Sequence, residues 1–147
     1  MQPQAWVEPE AGVPTVSAGD SRSVVLIEDL KRTQLVMYAG ASGDFNPLHT
    51  DEVFCRTAGY PGVFAHGMLS MGMTGRVLTD WFGMARLLRY GVRFRAQVWP
   101  GDTLTATATV ESVEQTQEGA IATVSVTTVN QDGVEVVSGT ADVRLAD

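Results

Sequence analysis

Gly67 to Phe82 reads GMLSMGMTGRVLTDWF, and the fold turns on how this stretch is taken. It is apolar on nearly every side and too long for a strand, so it predicts a buried helix. Gly72 and Gly75 lie inside it. Each costs a helix roughly 1 kcal/mol relative to alanine, which predicts close approach by other backbone. Beyond residue 85 the period changes to two. Leu88, Tyr90, Val92, Phe94, Ala96 and Val98 alternate with Arg89, Gly91, Arg93, Arg95 and Gln97, the pattern of a long strand with one buried face. Pro100-Gly101-Asp102 predicts a turn, after which Leu104, Ala106, Ala108 and Val110 alternate with threonines. Glu118-Gly119 and Gln131-Asp132-Gly133 mark two further turns, separating Ala120 to Asn130 from Val134 to Leu145. The C-terminal half is an antiparallel meander of four strands. One twisted sheet curled around the glycine-bearing helix is the simplest packing, an α+β domain.

Upstream of the helix, Ser23 to Ile27 forms a short β-branched run. Asp29 is a good N-cap type, and Leu30, Gln34, Met37, Tyr38 and Ala41 recur at helical spacing, predicting a helix that ends near Ser42-Gly43. Residues 1–20 are rich in Pro, Gly, Ser and Ala without a period and predict an extended arm, with the folded domain over 21–147.

A length of 147 residues and 44% hydrophobic composition fit one core. The net charge of -7 argues against a broad basic face for nucleic acid. Cys55 is the single cysteine, so the fold is held by packing, as in a reducing cytosol. It reads as a small buried apolar residue, since no base is placed to activate it. The start, MQPQAWVEPEAGVPTV, lacks the basic end and apolar run of a signal peptide, and no apolar stretch reaches the roughly 20 residues needed to span a bilayer. No membrane association and a cytoplasmic location are expected.

The chemistry concentrates between the two helices, in YAGASGDFNPLHTDEVFCRTAGYPGVFAHGM, residues 38–68, which hold both histidines of the chain. Gly43 permits a turn and Pro47 fixes φ, so the loop can hold Asp44 and His49 in fixed relation. A carboxylate and an imidazole so placed can bracket one water, one taking a proton while the other supplies or relays one. Asn46 is the orienting amide. His66-Gly67 opens the apolar helix, where N–H groups without internal partners suit a carbonyl oxygen gaining negative charge, and Gly67 has no side chain to block it. Together these features point to addition of water to a carbon chain conjugated with a carbonyl, or its removal. His66 reads as a helix-entry residue bonded to backbone, separate in role from His49, so that the two histidines do not form a pair.

Competing readings stand beside this one. Asp44 and Asn46 can serve only as turn formers bonded to nearby backbone. His49 and His66 with Asp44, Asp51 or Glu52 offer metal-ligating atoms, but their spacing matches no metal motif. Met68, Met71 and Met73 read as core packing. Arg86, Arg89, Arg93 and Arg95 read as a solvated strand face able to meet a phosphate-bearing ligand.

Tyr38-Ala39-Gly40, then Ser42-Gly43-Asp44-Phe45-Asn46-Pro47-Leu48-His49, with Ala65-His66-Gly67-Met68 opening a helix, resembles the MaoC-like dehydratases, which include the (R)-specific enoyl-CoA hydratases. Val92-Arg93-Phe94 and Val98-Trp99-Pro100-Gly101-Asp102-Thr103-Leu104 resemble the sheet region of the family, although the Pro-Gly-Asp turn is shared with hot-dog thioesterases. The resemblance covers residues 20–145. It implies a hot-dog fold, a sheet wrapped around a long central helix. By position it makes Asp44 and His49 the catalytic dyad, the Gly67 N–H the donor to the thioester carbonyl, and Asn46, Ser42 and His66 supporting residues. The implied substrate is a trans-2-enoyl thioester or its (R)-3-hydroxyacyl counterpart, carried on coenzyme A or acyl carrier protein, with no metal or redox cofactor. Chains of this length in the family pair as homodimers or with a sister hot-dog subunit, and the general run of residues is similar to the catalytic subunits of actinobacterial fatty-acid dehydratases. One departure is visible: some members carry a serine further along the central helix where this chain has Thr74-Gly75, and Ser70, a turn earlier, is not assigned its role. A hot-dog acyl thioesterase and a non-catalytic acyl-thioester binding subunit are the alternatives. Acyl-chain depth is expected to depend on Val53 to Phe64 and the apolar helix.

Overall fold

The computed structural model describes residues 14–117 and 119–145. The expected arm falls mostly outside this range, as does Glu118 of one expected turn. The elements are β1 (Ser21–Ile27), α1 (Arg32–Ser42), a 3-10 turn (Pro47–His49), α2 (Glu52–Thr57), α3 (Gly67–Phe82), a second 3-10 turn (Met84–Arg86), β2 (Leu87–Phe94), β3 (Leu104–Thr116), β4 (Gly119–Val129) and β5 (Glu135–Arg144). The strands form one antiparallel sheet in the order β1-β3-β4-β5-β2, with α3 packed against it. This is the hot-dog architecture.

Alternation explains the sheet. In β3 Leu104, Ala106, Ala108 and Val110 are buried, and in β4 Ala120, Ala122, Val124, Val126 and Thr128 are, while their neighbours face outward. Small alanines on the concave face leave room for the helix. α3 covers that face with Ser70, Thr74, Val77, Leu78 and Phe82, a stripe at helical spacing. The helix spans the residues expected of it, but it is not enclosed on all sides. Met68, Gly72, Arg76 and Asp80 recur every fourth residue on an exposed face. The glycines also differ from expectation, because backbone does not approach either closely. A Cβ on Gly72 would meet nothing within 4 Å, and one on Gly75 would lie 3.3 Å from the ring of Tyr90. An aromatic side chain fills the space that a second backbone was expected to occupy.

Three other expectations change. α1 is capped at Lys31, whose N–H donates to Gln34 Oε1 at 2.8 Å, and it buries Leu35 and Ala39 while Met37 is exposed. Asp29 stands outside the helix at φ 53°. The reason is tertiary: the Leu30 N–H donates to Asp102 O (2.9 Å) and the Gly101 N–H to Leu30 O (2.7 Å), tying this segment to the Pro-Gly-Asp turn before the helix can start. β2 ends at Phe94 rather than Val98 and pairs with β5, not β3, so the meander comprises β3, β4 and β5 only. As the edge strand it buries its face only in part: Leu88 and Phe94 are exposed, whereas Tyr90 and Val92 pack against the core. Finally, the stretch taken as irregular contains α2, which Asp51 caps by accepting the N–H groups of Val53 and Phe54.

Candidate active site

α1 stops at Gly43, which adopts φ 73° and returns its N–H to Ala39 O at 3.0 Å. A left-handed residue ends a helix without strain only when it lacks a Cβ. The chain then supports itself every second residue. Ser42 Oγ accepts from the Asp44 N–H (3.2 Å), Asp44 Oδ1 from the Asn46 N–H (3.2 Å), and Asn46 Oδ1 from the Leu48 N–H (3.0 Å). The bland reading of Asp44 and Asn46 as turn formers is therefore correct as far as it goes. These bonds also deliver His49 to a fixed place, because its own N–H closes the 3-10 turn on Asn46 O at 3.0 Å.

His49 is 8% exposed. Its Nδ1 lies 2.7 Å from the carbonyl oxygen of Phe64. A carbonyl only accepts, so Nδ1 carries the proton and, in the neutral ring, Nε2 holds the free lone pair. The Phe64 N–H in turn donates to Leu48 O at 3.3 Å, and the Phe64 ring meets the imidazole edge-on at 5.4 Å. Cys55, fully buried, donates its thiol to Leu48 O from beneath at 3.1 Å. Burial, with the carboxylates of Glu52 and Asp51 adding to it, pushes that thiol above its ordinary range, which agrees with its reading as packing.

His66 is 1% exposed and bonded to backbone as expected, but not to the backbone of its own helix. Its Nε2 donates to the Asp44 carbonyl at 3.0 Å, so the residue that opens α3 also fastens the Asp44 loop. The expectation that the two histidines do not form a pair is corrected here: their rings stack 3.8 Å apart at 28°, with Tyr38 edge-on to His66 at 5.0 Å. Two chain ends separated in sequence meet because the Phe64 carbonyl and the Asp44 carbonyl each hold one ring.

A carboxylate oxygen of Asp44 and ring nitrogens of His49 and His66 lie within 4.8 Å of one another. Two hydrogen bonds to one water span about 4.6 Å at a tetrahedral angle, so this spacing suits a bridging water. The same trio invites a metal, but the rings oppose it. An imidazole binds a cation in its own plane at about 2 Å from nitrogen. The ring centroids are 3.8 Å apart at 28° in a stack, and His49 Nδ1 and His66 Nε2 are already held by the carbonyls of Phe64 and Asp44. Asp51 and Glu52 are engaged elsewhere, in the α2 cap and an ion pair with Arg32 at 2.6 Å.

Gly67 begins α3, and its N–H has no partner among the described residues. It opens on a cavity of about 240 Å³ walled by Phe94, Ala96, Val98 and Val136. A Cβ on Gly67 would stand 3.0 Å from the Phe94 ring, so glycine is what lets this aromatic wall close on the helix start. The cavity draws on Phe64 from the segment 53–64, not on Val53, which is exposed. Thr74, at the departure noted in the helix, instead pairs its hydroxyl with that of Thr128 at 2.7 Å in the core.

The sequence model of the MaoC like domain matches residues 8–132. The (R)-specific enoyl-CoA hydratase of Rhodospirillum rubrum is 36% identical over 93 residues, 62% of this chain and 65% of that protein. The enoyl-CoA hydratase ChsH3 of Mycobacterium tuberculosis is 34% identical over 100 residues, 66% of this chain and 32% of that protein. The chain thus spans a third of one of these relatives and just under two thirds of the other. Among solved structures, the unliganded R-hydratase PhaJ1 from Pseudomonas aeruginosa superposes with a TM-score of 0.77 at 25% identity, over 90% of this chain and 83% of that one.

Proposed function

The chain belongs to the MaoC like domain family, and from that premise we propose that it adds water reversibly to trans-2-enoyl thioesters and dehydrates (R)-3-hydroxyacyl thioesters, carried on coenzyme A or acyl carrier protein. One observation carries the reading. The Phe64 carbonyl occupies Nδ1 of His49, leaving the Nε2 lone pair free, and a ring nitrogen of His49 lies within 4.8 Å of the Asp44 carboxylate; Phe64 itself lines the cavity that starts at the unpaired Gly67 N–H. In hydration the water oxygen bonds to C3 while the dyad takes its proton. The C2–C3 π electrons move toward the thioester oxygen, where the Gly67 N–H stabilises the negative charge. The dyad then returns a proton to C2 and the carbonyl reforms. Every atom is supplied by water and substrate, so the scheme calls for neither metal nor redox cofactor.

Loss of enone absorbance on crotonyl-CoA and longer enoyl-CoAs measures the reaction. Asp44→Asn and His49→Gln are each expected to lower the rate by at least about a hundredfold, the usual scale for removing a general acid or base. Unchanged rates in both would overturn the mechanism. Release of free thiol without hydration would identify a thioesterase, and binding without turnover a binding subunit.

A homodimer, or pairing with a sister hot-dog subunit as in the dehydratase catalytic subunits, is part of this reading. Its support is the site's own rim: Met68 and Phe94, which flank Gly67, are 57% and 51% exposed, and β2 is an open sheet edge. No helix among the described residues is long and apolar enough to cross a membrane. Catalysis in the cytoplasm, without membrane or nucleic acid, completes the proposal.

A further inference from the structure

The cavity at the start of α3 contains a second polar group that the scheme above leaves unused. Ser70 is 4% exposed and lines the cavity together with Gly67. Its hydroxyl makes no hydrogen bond to any described residue. A serine within a helix ordinarily satisfies itself by bonding back to the carbonyl four residues earlier. Here that carbonyl, on His66, already accepts the N–H groups of Leu69 (3.1 Å) and Ser70 (3.3 Å). Ser70 instead lines the cavity with Phe94, Ala96, Val98 and Val136, and with the polar residues Arg95 and Gln97. Ser70 Oγ is not among the fully buried unpartnered atoms, so although the residue is buried its hydroxyl keeps contact with the open cavity, where a group that enters can bond it.

Position indicates what that is. Gly67 and Ser70 are three residues apart on one helix and so share a face. Side chains on a helix lean toward its N-terminus, which carries the Ser70 hydroxyl over the turn that bears the free Gly67 N–H. Two donors thus lie at the α3 end of a cavity whose remaining lining is apolar apart from Arg95 and Gln97. A carbonyl oxygen has two lone pairs and, as negative charge builds on it, gains most from two donors fixed in advance.

We propose that Ser70 is a catalytic residue whose hydroxyl donates to the thioester carbonyl oxygen alongside the Gly67 N–H, completing a two-donor oxyanion site. The assignment rests on the hydratase reading for its chemistry and extends it by one residue. In hydration the Ser70 proton stays on Ser70 throughout; only the hydrogen bond strengthens as the oxygen becomes enolate-like.

The test compares wild type with Ser70→Ala on three ligands: crotonyl-CoA for turnover, butyryl-CoA for carbonyl binding, and its thioether S-butyl-CoA, which lacks the carbonyl. The expected result is a fall of about a hundredfold in kcat/KM for crotonyl-CoA, the scale of removing one oxyanion donor. By calorimetry, the preference of wild type for butyryl-CoA over the thioether should shrink about fivefold in the variant, from weaker thioester binding alone. A ratio of two Kd values does not depend on the fraction of variant that folds. If kcat/KM and the ratio are both unchanged, or both ligands weaken equally, Ser70 is not a carbonyl donor, and wild-type turnover leaves the hydratase reading standing. If wild type hydrates no enoyl-CoA yet prefers the thioester through Ser70, the donor assignment stands and the hydratase reading falls. If wild type does not distinguish thioester from thioether, the donor pair is wrong.

Discussion

The Nδ1 proton of His49 is committed to the Phe64 carbonyl, and a residue read from its sequence neighbours alone would not reveal this, because Phe64 lies fifteen positions away. Sequence spacing identifies Asp44 and His49 as candidates; the partner that selects the tautomer comes from the entry to α3. His66 shows the same limit more sharply. Its role at the helix start is legible, but the stack on His49 and the bond to Asp44 O are products of tertiary folding. These contacts tie His66 to both Asp44 and His49, and in the proposed mechanism they make it a positioning residue. His66→Phe keeps a ring between Tyr38 and His49 while removing the Nε2–H that fastens the Asp44 carbonyl. It also removes Nδ1, which is buried without a partner among the described residues. The expected outcome is a kcat about tenfold lower with little change in KM, and a stability change within about 1 kcal/mol, since one lost hydrogen bond is set against one removed orphan. Steady-state kinetics with thermal melts check both, and a loss as large as that of Asp44→Asn would show His66 to be directly in the reaction.

Long, strongly periodic elements are the most legible. α3 and the alternating β3 and β4 lie where their patterns place them, because burial on one face repeats over many residues. α2 escapes notice because six residues are too few to show a helical period, and only the Asp51 cap betrays it. The start of α1 is misplaced because the bonds of Leu30 to the distant Pro-Gly-Asp turn override local capping preference. What joins α3 to the sheet is likewise invisible in sequence: Thr74 and Thr128 lie fully buried with hydroxyls 2.7 Å apart. Replacing one by valine leaves a buried hydroxyl without this partner, at about 1–3 kcal/mol, while replacing both removes the requirement that each places on the other. The Thr74→Val/Thr128→Val double variant should therefore cost less than the sum of the two single variants. Denaturant melts of the four proteins form the cycle, and strictly additive losses would mean the pair does not couple helix to sheet.

At the scale of the molecule, the sheet's curl brings β2 round so that Tyr90 lies against α3, with its ring beside Gly75 and its hydroxyl donating to Met71 O at 2.9 Å. The glycine in the helix and the tyrosine on the edge strand are legible separately, yet nothing in their spacing predicts that one makes room for the other. Burial pushes the Tyr90 phenol up to about 12, partly offset by a hydrogen bond with Thr74. The sign of the consequence follows from linkage. The unfolded chain releases a phenolic proton near pH 10, while the folded chain holds this one until about pH 12. Between those values the unfolded state binds fewer protons, so the stability that Tyr90 contributes is whole below pH 10 and is lost as pH rises toward 12. Tyr90→Phe has no proton to lose. Its melting temperature should fall below that of wild type at pH 8, where the Met71 bond is missing, and the gap should close as pH climbs from 10 to 12. Thermal melts of both proteins across that range make the comparison independent of the other groups that titrate there. A gap that stays constant with pH would mean that the Tyr90 hydroxyl reaches solvent in the folded chain and that the edge strand does not seal against the helix.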